Sequence, residues 1–170
     1  MKKKNIIDDL SCEMLGLTMF ADESEADIIK KIQTISDINM RGRDGRTLIN
    51  HAAIYGLIDV FNYLLGQGAD ITIPDDMGYT PLHSAVKCRN IEIAKILLEH
   101  GASVSAVNKF MNIPLLEASH LHLDIIKLLL EYGSDCHRTN IAGISAYKMF
   151  EAYPEIIKLM DSYQETHDQS

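Results

Sequence analysis

The strongest constraint on the fold of this chain is an internal repeat with a period of about 33 residues. The segment DGRTLINHAA, which begins at Asp44, aligns with MGYTPLHSAV from Met77 and with FMNIPLLEAS from Phe110. Farther along, YLLGQGADI aligns with ILLEHGASV and then with LLLEYGSDC. The last of these spacings is one residue short, so the third unit lacks a residue between Ala118 and His122. A repeat of this length is typical of a solenoid, in which each unit buries its apolar face against its neighbours.

Each unit carries the signals of two helices followed by a short extended piece. Proline falls in the first turn of the first helix in two units, and glycine follows the second helix, where a left-handed cap is favoured. The first helices are expected to begin near Thr47, Thr80 and Ile113. The second helices are expected to begin at Ile58, Ile91 and Leu123 and to end at Gly68, Gly101 and Gly133.

The blocks GYTPLHSAV and ILLEHGASV together resemble the ankyrin repeat, whose pattern is D-x-x-G-x-T-P-L-H-x-A-A followed by L-L-x-x-G-A-D. The resemblance covers residues 42–161 closely and extends loosely back to about Ile6. It implies an all-α solenoid of stacked helix-turn-helix units with β-hairpin or loop fingers. About three full repeats are expected, between degenerate N-terminal and C-terminal capping units.

The repeat register divides the chain into segments of one single domain. The N-terminal cap is expected to contain helices from Asp9 to Met19 and from Ser24 to Thr34, and the C-terminal cap a last helix from Glu155 to Ser162. The expected segments are a disordered basic terminus (1–5), an N-terminal capping repeat (6–41), three ankyrin repeats (42–74, 75–107 and 108–139), a C-terminal capping repeat (140–162) and a frayed tail (163–170).

Composition limits the partners and the compartment. The net charge of -8 opposes binding to nucleic acid, since phosphates must be met by Lys and Arg, and it favours a basic protein as partner. Three cysteines without paired spacing indicate a reducing compartment. The sequence contains no apolar run of transmembrane length. We therefore expect a cytoplasmic monomer that binds another protein, without contact to nucleic acid or membrane.

Sequence motifs of catalysis and of cofactor binding are absent, so no catalytic, cofactor-binding or metal-binding residue is predicted. His83 occupies the TPLH position, for which the resemblance implies a structural hydrogen bond. His120 and His122 do not share one helix face, which disfavours a metal site. Cys88 is flanked by Lys87 and Arg89, which leaves two interpretations: a small residue in a tight turn, which is favoured, or a redox-sensitive thiol with a lowered pKa.

The resemblance also implies where a partner binds, namely at the finger tips and the exposed edges of the inner helices. Several of these positions carry apolar side chains that the fold does not need, and exposed apolar patches mark interaction sites. The predicted partner-binding residues are Arg43, Asp44, Arg46, Tyr55, Asp76, Met77, Tyr79, Lys87, Lys109, Phe110, Asn112, His120, Leu121 and Ile144. The prediction of an apolar band within this set rests on Tyr55, Met77, Tyr79, Phe110, Leu121 and Ile144.

Two functional hypotheses are consistent with this surface. The first is a non-enzymatic module that holds a partner in its concave face, including the narrower case of a stoichiometric inhibitor such as a bacterial toxin-immunity protein. The alternative is an ankyrin effector or a scaffold or targeting subunit that acts on host or cellular proteins. In both, Phe110 is the first candidate for contact with the partner. Met111 replaces the glycine of the other turns, so its finger is expected to be less regular.

Overall fold

The computed structural model describes residues 24–167, apart from the side chains at positions 43 and 164–167. The predicted helix from Asp9 to Met19 and the basic terminus lie outside the described residues. Eight α-helices follow one another in this part of the chain: α1 (Glu25–Ile32), α2 (Leu48–Tyr55), α3 (Ile58–Gly66), α4 (Pro81–Lys87), α5 (Ile91–Glu99), α6 (Leu123–Glu131), α7 (Ala146–Met149) and α8 (Pro154–His167). A short 3-10 helix, Pro114–Glu117, stands between α5 and α6.

The helices form two layers along the stack. The inner helices α2 and α4 pack side by side, and the 3-10 helix packs against α4. The outer helices follow in the order α1, α3, α5, α6 and α8, each in contact with the next. A single apolar cluster runs between the two layers, from Ile28 in α1 to Met160 in α8. The prediction of an all-α solenoid of stacked helix pairs is confirmed.

The local signals in the first two full repeats produce the helices that they predict. Thr47 and Thr80 accept hydrogen bonds from backbone N–H groups at the starts of α2 and α4, which satisfies donors that would otherwise lack a partner. The second helices begin at Ile58, Ile91 and Leu123, as expected. Each is followed by a glycine at a φ between 80° and 83°, namely Gly68, Gly101 and Gly133. These residues lie in the left-handed region that glycine enters without a steric cost.

The third full repeat departs from the prediction of a short α-helix after Ile113. The chain forms the four-residue 3-10 helix instead, and Ala118 leaves it in an extended conformation. Two sequence differences account for this. Ile113 has no hydroxyl to cap the first turn, in contrast to Thr80, and the missing residue between Ala118 and His122 shortens the connection to α6.

The fingers are tight turns, and no strand occurs between residues 24 and 167. Each turn is closed by backbone hydrogen bonds, such as Asp75 N–H to Tyr79 O at 2.9 Å and Asn108 N–H to Asn112 O at 3.1 Å. Further backbone bonds join successive fingers: Asp76 N–H to Asp44 O, Lys109 N–H to Met77 O and Ile141 N–H to Phe110 O, at 2.8, 2.9 and 3.0 Å. The fingers therefore form a continuous ladder along one edge of the stack.

The finger of Met111 is as regular as the others, and the expectation of irregularity is wrong. Met111 takes a φ of 60°, in the region occupied by Gly78 at 84°. The turn keeps both of its backbone bonds, from Asn108 to Asn112 and from Met111 to Asn108. The side chain of Asn108 also accepts hydrogen bonds from the N–H groups of Phe110 and Asn112. These bonds hold the turn in shape although Met111 stands where the other fingers have glycine.

The C-terminal end of the chain is more helical than its apolar pattern predicts. Helix α8 begins at Pro154 and continues to His167, beyond Ser162, where the pattern ends. Its apolar residues Ile156 and Met160 are fully buried, so α8 closes the apolar cluster at this end of the stack. Tyr163, one residue past the predicted end, donates a hydrogen bond from its hydroxyl to Glu131 in α6 at 3.1 Å.

Candidate functional site

A groove with a volume of about 400 Å³ lies between the finger tips and the inner helices. Two adjacent full repeats supply most of its walls, and the tip of the third finger supplies one aromatic side chain. The residues that line and define the groove are Arg46, Ile54, Asp75, Met77, Tyr79, Ser84, Lys87, Cys88 and Phe110. Five of them belong to the predicted partner-binding set, and the structure brings these five together: Arg46, Met77, Tyr79, Lys87 and Phe110.

The apolar part of the groove comes from the fingers. Met77 and Phe110 occupy the same position in consecutive repeats, and their side chains remain 42% and 45% exposed. Tyr79 is half-buried, and its ring contacts His83 edge-on, with 5.8 Å between the ring centroids. Ile54 adds an aliphatic surface from α2. Because the ladder of backbone bonds holds the fingers, these side chains are presented by a fixed support.

Lys87 lines the groove and contacts two neighbouring side chains, those of Tyr79 and Glu117. Its Nζ donates a hydrogen bond to the hydroxyl of Tyr79 at 3.0 Å and lies 4.4 Å from the centroid of that ring. It also lies 3.5 Å from Oε2 of Glu117. The bond to Tyr79, helped by the Glu117 charge, raises the pKa of Lys87 above its ordinary value in spite of its partial burial. Lys87 is therefore a permanent cation of the groove.

Glu117 lies beneath the groove in a network of side-chain amides. Its Oε1 accepts hydrogen bonds from the Nδ2 atoms of Asn108 and Asn112, both at 2.9 Å, and its side chain is only 8% exposed. Asn140 in turn donates to Asn112 at 3.0 Å. Sequence reasoning named Asn112 as a contact residue, whereas the structure engages its side chain in this network. Glu117 occupies the position that Ser84 holds in the preceding repeat. A charged residue in place of this serine was the sequence signal that could have identified Glu117 as part of the site.

Arg46 is held by acids on both sides. Its Nε donates to Oδ2 of the buried Asp75 at 3.4 Å, and its Nη1 lies 3.8 Å from Asp44. Asp75, which sequence reasoning missed, accepts through Oδ1 from the N–H groups of Met77 and Tyr79. Asp75 thus shapes the finger that carries the two apolar side chains, and it orients Arg46.

The remaining predicted residues lie around or away from the groove. Asp44, Asp76 and Lys109 are exposed on finger tips, and Arg43 belongs to the turn Arg43–Gly45. Tyr55 is half-buried, with its ring parallel to that of His51. Three others lie toward the C-terminal end of the stack: His120, which stacks on Tyr153 at 4.3 Å between centroids, Leu121 and Ile144, of which the last two are exposed. Of the expected apolar band, Tyr55, Leu121 and Ile144 do not line the groove.

The thiol of Cys88 lines the groove. Burial raises the pKa of the Cys88 thiol, and the nearby charges of Lys87 and Arg46 do not outweigh it. The raised pKa runs against the expectation of a lowered one and favours the interpretation of Cys88 as a small residue beside a turn. Among residues 24–167, no three side chains of His, Cys, Asp or Glu converge in a way that could hold a metal ion. Within the same range, no helix has both the length and the apolar character needed to span a bilayer.

Comparison with known families identifies the fold. The family model described as ankyrin repeats (3 copies) matches residues 17–108, a little over half of the chain. The chain belongs to the ankyrin repeat family. Ankyrin repeats are generally non-enzymatic modules of protein–protein interaction, and solenoids of this kind present extended concave binding surfaces. The groove therefore lies on a fold whose general role is to bind other proteins.

Curated relatives share the repeats but are mostly longer proteins. The chain is 37% identical over 107 residues to human BCL-6 corepressor-like protein 1, a match that covers 62% of this chain and 6% of the relative. It is 29% identical to the RelA-associated inhibitor of Mus musculus, over 48% of this chain and 10% of that protein. An ankyrin repeat-containing protein of Schizosaccharomyces pombe is 30% identical over 66% of this chain and 55% of its own length. The chain thus matches only part of each of these relatives.

Proposed function

We propose that this chain binds a partner protein in its groove as a stoichiometric, non-catalytic module. The observation that carries the proposal is the character of the finger positions. Met77 and Phe110 occupy a position that holds Asp44 in the first finger and Ala142 in the last, so the fold does not require a large apolar side chain there. Both remain more than 40% exposed beside a concave surface. Exposed apolar surface bordered by charges marks interaction sites.

The residue types of the groove support this assignment. Aromatic residues, Met and Arg are enriched at the centres of protein interfaces, and truncation of a well-packed Tyr there costs about 2 kcal/mol or more. Tyr79 and Phe110 come from neighbouring fingers, so one partner segment contacts both. The other predicted residues remain predicted contacts outside the groove: Arg43, Asp44, Asp76, Lys109, Tyr55, Asn112, His120, Leu121 and Ile144.

The mode of action that we propose is inhibition of the bound partner at equimolar stoichiometry. One relative carries the name RelA-associated inhibitor, which describes the mouse protein and gives a precedent within the family. The narrower case, a bacterial toxin-immunity protein, remains a prediction from the sequence resemblance. A monomeric state, a cytoplasmic location and the lack of contact with nucleic acid or membrane also remain predictions from the sequence. The net charge of -8 favours a partner that is basic overall. The alternative is a scaffold, targeting or effector role, in which the partner stays active.

The test compares the groove with another exposed surface of the same molecule. The variant Tyr79→Ala/Phe110→Ala removes the two aromatic rings of the groove. A matched control, Leu123→Ala/Tyr132→Ala, removes two large side chains that are 44% and 42% exposed on and beside α6. Partners recovered from native lysate with the wild type are identified by mass spectrometry, purified and titrated calorimetrically. We expect affinity to fall at least about tenfold in the groove variant and to change little in the control.

The outcomes separate the proposals. Equal recovery of the same partners by the wild type and the groove variant would overturn binding through the groove. If the partner has an enzymatic activity that falls until the two proteins are equimolar, the inhibitor mode is supported. If its activity is unchanged in the complex, the scaffold or effector alternative replaces inhibition.

A further inference from the structure

We propose that the groove receives an extended peptide segment of the partner in which an acidic side chain stands next to a large apolar one. This inference rests on the proposed function and specifies the chemistry of the bound segment. It follows from an asymmetry between the acids and the cations of the groove. The acids Asp75 and Glu117 are buried with their oxygens occupied, whereas the cations Arg46 and Lys87 are more exposed and have N–H donors left over.

The acidic groups under the groove have their acceptor oxygens engaged. Asp75 is 5% exposed; its Oδ1 accepts from two backbone N–H groups and its Oδ2 from Arg46. Glu117 is 8% exposed; its Oε1 accepts from two Asn side chains and its Oε2 faces Lys87. A basic side chain entering the groove would therefore find these carboxylates covered and would lie beside two cations.

The cationic groups remain accessible and keep donors to spare. Lys87 is 54% exposed, and Arg46 is 27% exposed. A guanidinium carries five N–H donors and an ammonium three. The Arg46 side chain donates one hydrogen bond, to Asp75, and has a longer contact with Asp44. The Lys87 side chain donates one, to Tyr79, and has a longer contact with Glu117. A carboxylate in the groove could accept from both side chains, and charge-assisted bonds of this kind are about twice as strong as neutral ones.

The apolar side chains lie beside these donors and set the second requirement. Met77 and Phe110 are exposed apolar side chains of the finger tips, and Ile54 lines the groove from α2. The volume of about 400 Å³ is near the lower end of the range of small-ligand pockets, roughly 300 to 1,000 Å³. A space of this size accommodates a few side chains of an extended segment.

The acids at the finger tips do not reverse this preference. Asp44 lies 3.8 Å from Arg46, and Asp76 accepts a hydrogen bond from Arg41 at 3.0 Å, so each exposed carboxylate has a cation beside it. The net charge of -8 attracts a basic partner as it approaches. The groove cations attract only charges within a Debye length, about 8 to 10 Å. A partner that is basic overall can therefore present an acidic segment to the groove.

The experiment begins with selection of short random peptides on the immobilised wild-type chain. We expect the enriched peptides to carry Asp or Glu within one or two positions of Phe, Tyr, Leu or Met. One enriched peptide and its variant with Asn or Gln in place of the acid are then synthesised. Binding of each is measured by fluorescence polarisation to the wild type and to the variants Lys87→Met and Arg46→Gln, with Lys127→Met as control. Lys127 is 57% exposed and lies 3.8 Å from Glu131, so it resembles Lys87 in exposure and in its acidic neighbour.

The expected result is a coupling between the peptide acid and the groove cations. Loss of the peptide acid should weaken binding about tenfold to the wild type and to Lys127→Met, and less than about threefold to Lys87→Met and Arg46→Gln. Thermal unfolding of each variant verifies that it is folded. Lys87→Met leaves the Glu117 carboxylate without its cation, which could itself disturb the groove. Arg46→Gln therefore measures the coupling without that disturbance. Replacing the acid of the peptide measures its contribution on the unchanged wild-type protein.

Three outcomes would overturn the inference: no enriched peptide, enriched peptides without acidic residues, or an equal effect of the peptide acid in all four proteins. The proposed function fails separately. If the enriched peptides lack acidic residues but do not bind Tyr79→Ala/Phe110→Ala, the proposed acidic preference is wrong and the groove is still the binding site. Acidic peptides that bind that variant as tightly as the wild type would overturn both.

Discussion

His83 joins two neighbouring repeats: its Nε2 lies 3.0 Å from the carbonyl oxygen of Asn112. The other ring nitrogen, Nδ1, lies 2.9 Å from the hydroxyl of Thr80 and accepts from the Thr80 N–H at 3.3 Å. This arrangement assigns the proton of the neutral ring to Nε2, which donates to Asn112. The side chain is fully buried, and burial lowers the pKa of His83. The structural role predicted for this residue has its physical basis in these contacts.

The variant His83→Ala should lower the free energy of unfolding by about 2 to 3 kcal/mol, because half-buried groups of Thr80 and Asn112, on two repeats, lose their hydrogen bonds. Urea unfolding followed by circular dichroism measures the change. His100→Ala serves as control, since His100 is exposed at the end of α5 and bonds only within its own repeat. A loss below about 0.5 kcal/mol for His83→Ala would contradict the role of His83 as a link between repeats.

Acid should destabilise the protein through His51. This residue is fully buried in α2, neither ring nitrogen has a hydrogen-bond partner, and burial lowers its pKa from 6.5 to about 4. The unfolded chain takes up a proton near pH 6.5, whereas the folded chain takes it up only near pH 4. Between these values the unfolded state binds more protons, so stability falls as the pH falls, by about 3 kcal/mol from His51 alone.

The variant His51→Ser tests this linkage. Serine is chosen because Ser84 occupies the position of His51 in the next repeat. Urea unfolding at several pH values between about 7 and 4 should show a shallower loss of stability in the variant than in the wild type. Part of the slope should remain, since burial also lowers the pKa of His83. Identical slopes in the two proteins would refute the assignment to His51.

Replacement of Met111 by glycine should stabilise the protein. Met111 holds a φ of 60°, which costs a residue with a side chain about 1 kcal/mol relative to glycine. Its side chain is 44% exposed, so little apolar burial is lost. We expect a net gain of up to about 1 kcal/mol, reduced by the greater entropy of glycine in the unfolded chain. Thermal or urea unfolding measures it.

The reverse change at Gly78 provides the counterpart. Gly78 has a φ of 84°, and a Cβ there would lie 2.9 Å from the Cα of Asn108 in the next finger. Gly78→Ala should therefore lower stability by more than about 1 kcal/mol, because backbone strain and a steric clash act together. If Met111→Gly destabilised the protein as much as Gly78→Ala, backbone strain at Met111 would not determine the change in the free energy of unfolding.

Cys88 should react slowly although it is exposed at the surface. Burial around the sulfur raises its pKa, so less thiolate is present at neutral pH than in a free thiol. In a variant in which Cys12 and Cys136 are replaced by serine, we expect the reaction with a disulfide reagent at neutral pH to be slower than that of glutathione. The rate should continue to rise above about pH 8.5, the ordinary pKa of a thiol. A rate above that of glutathione at neutral pH would restore the redox-sensitive interpretation.

Much of the fold could be predicted because its determinants are local and recur. The glycines after α3, α5 and α6 and the threonines before α2 and α4 act on their own backbone neighbours, so their position in the sequence is enough. The third repeat shows the limit. Ile113 in place of a capping threonine and one missing residue are both visible, but whether the chain forms an α-helix or a 3-10 helix depends on the distance to α6 across the shortened turn.

The sequence by itself determined the repeat period, the starts of the second helices and the finger positions at which the side chain differs from repeat to repeat. Only the tertiary structure decided which of these side chains meet. It placed Met77, Tyr79 and Phe110 beside Arg46 and Lys87, and left Tyr55, Leu121 and Ile144 outside the groove. It also buried Glu117 under Lys87, from which it is 30 positions distant. The physical reason is that contacts between repeats depend on how the units stack, whereas caps and turns depend on residues only a few positions apart.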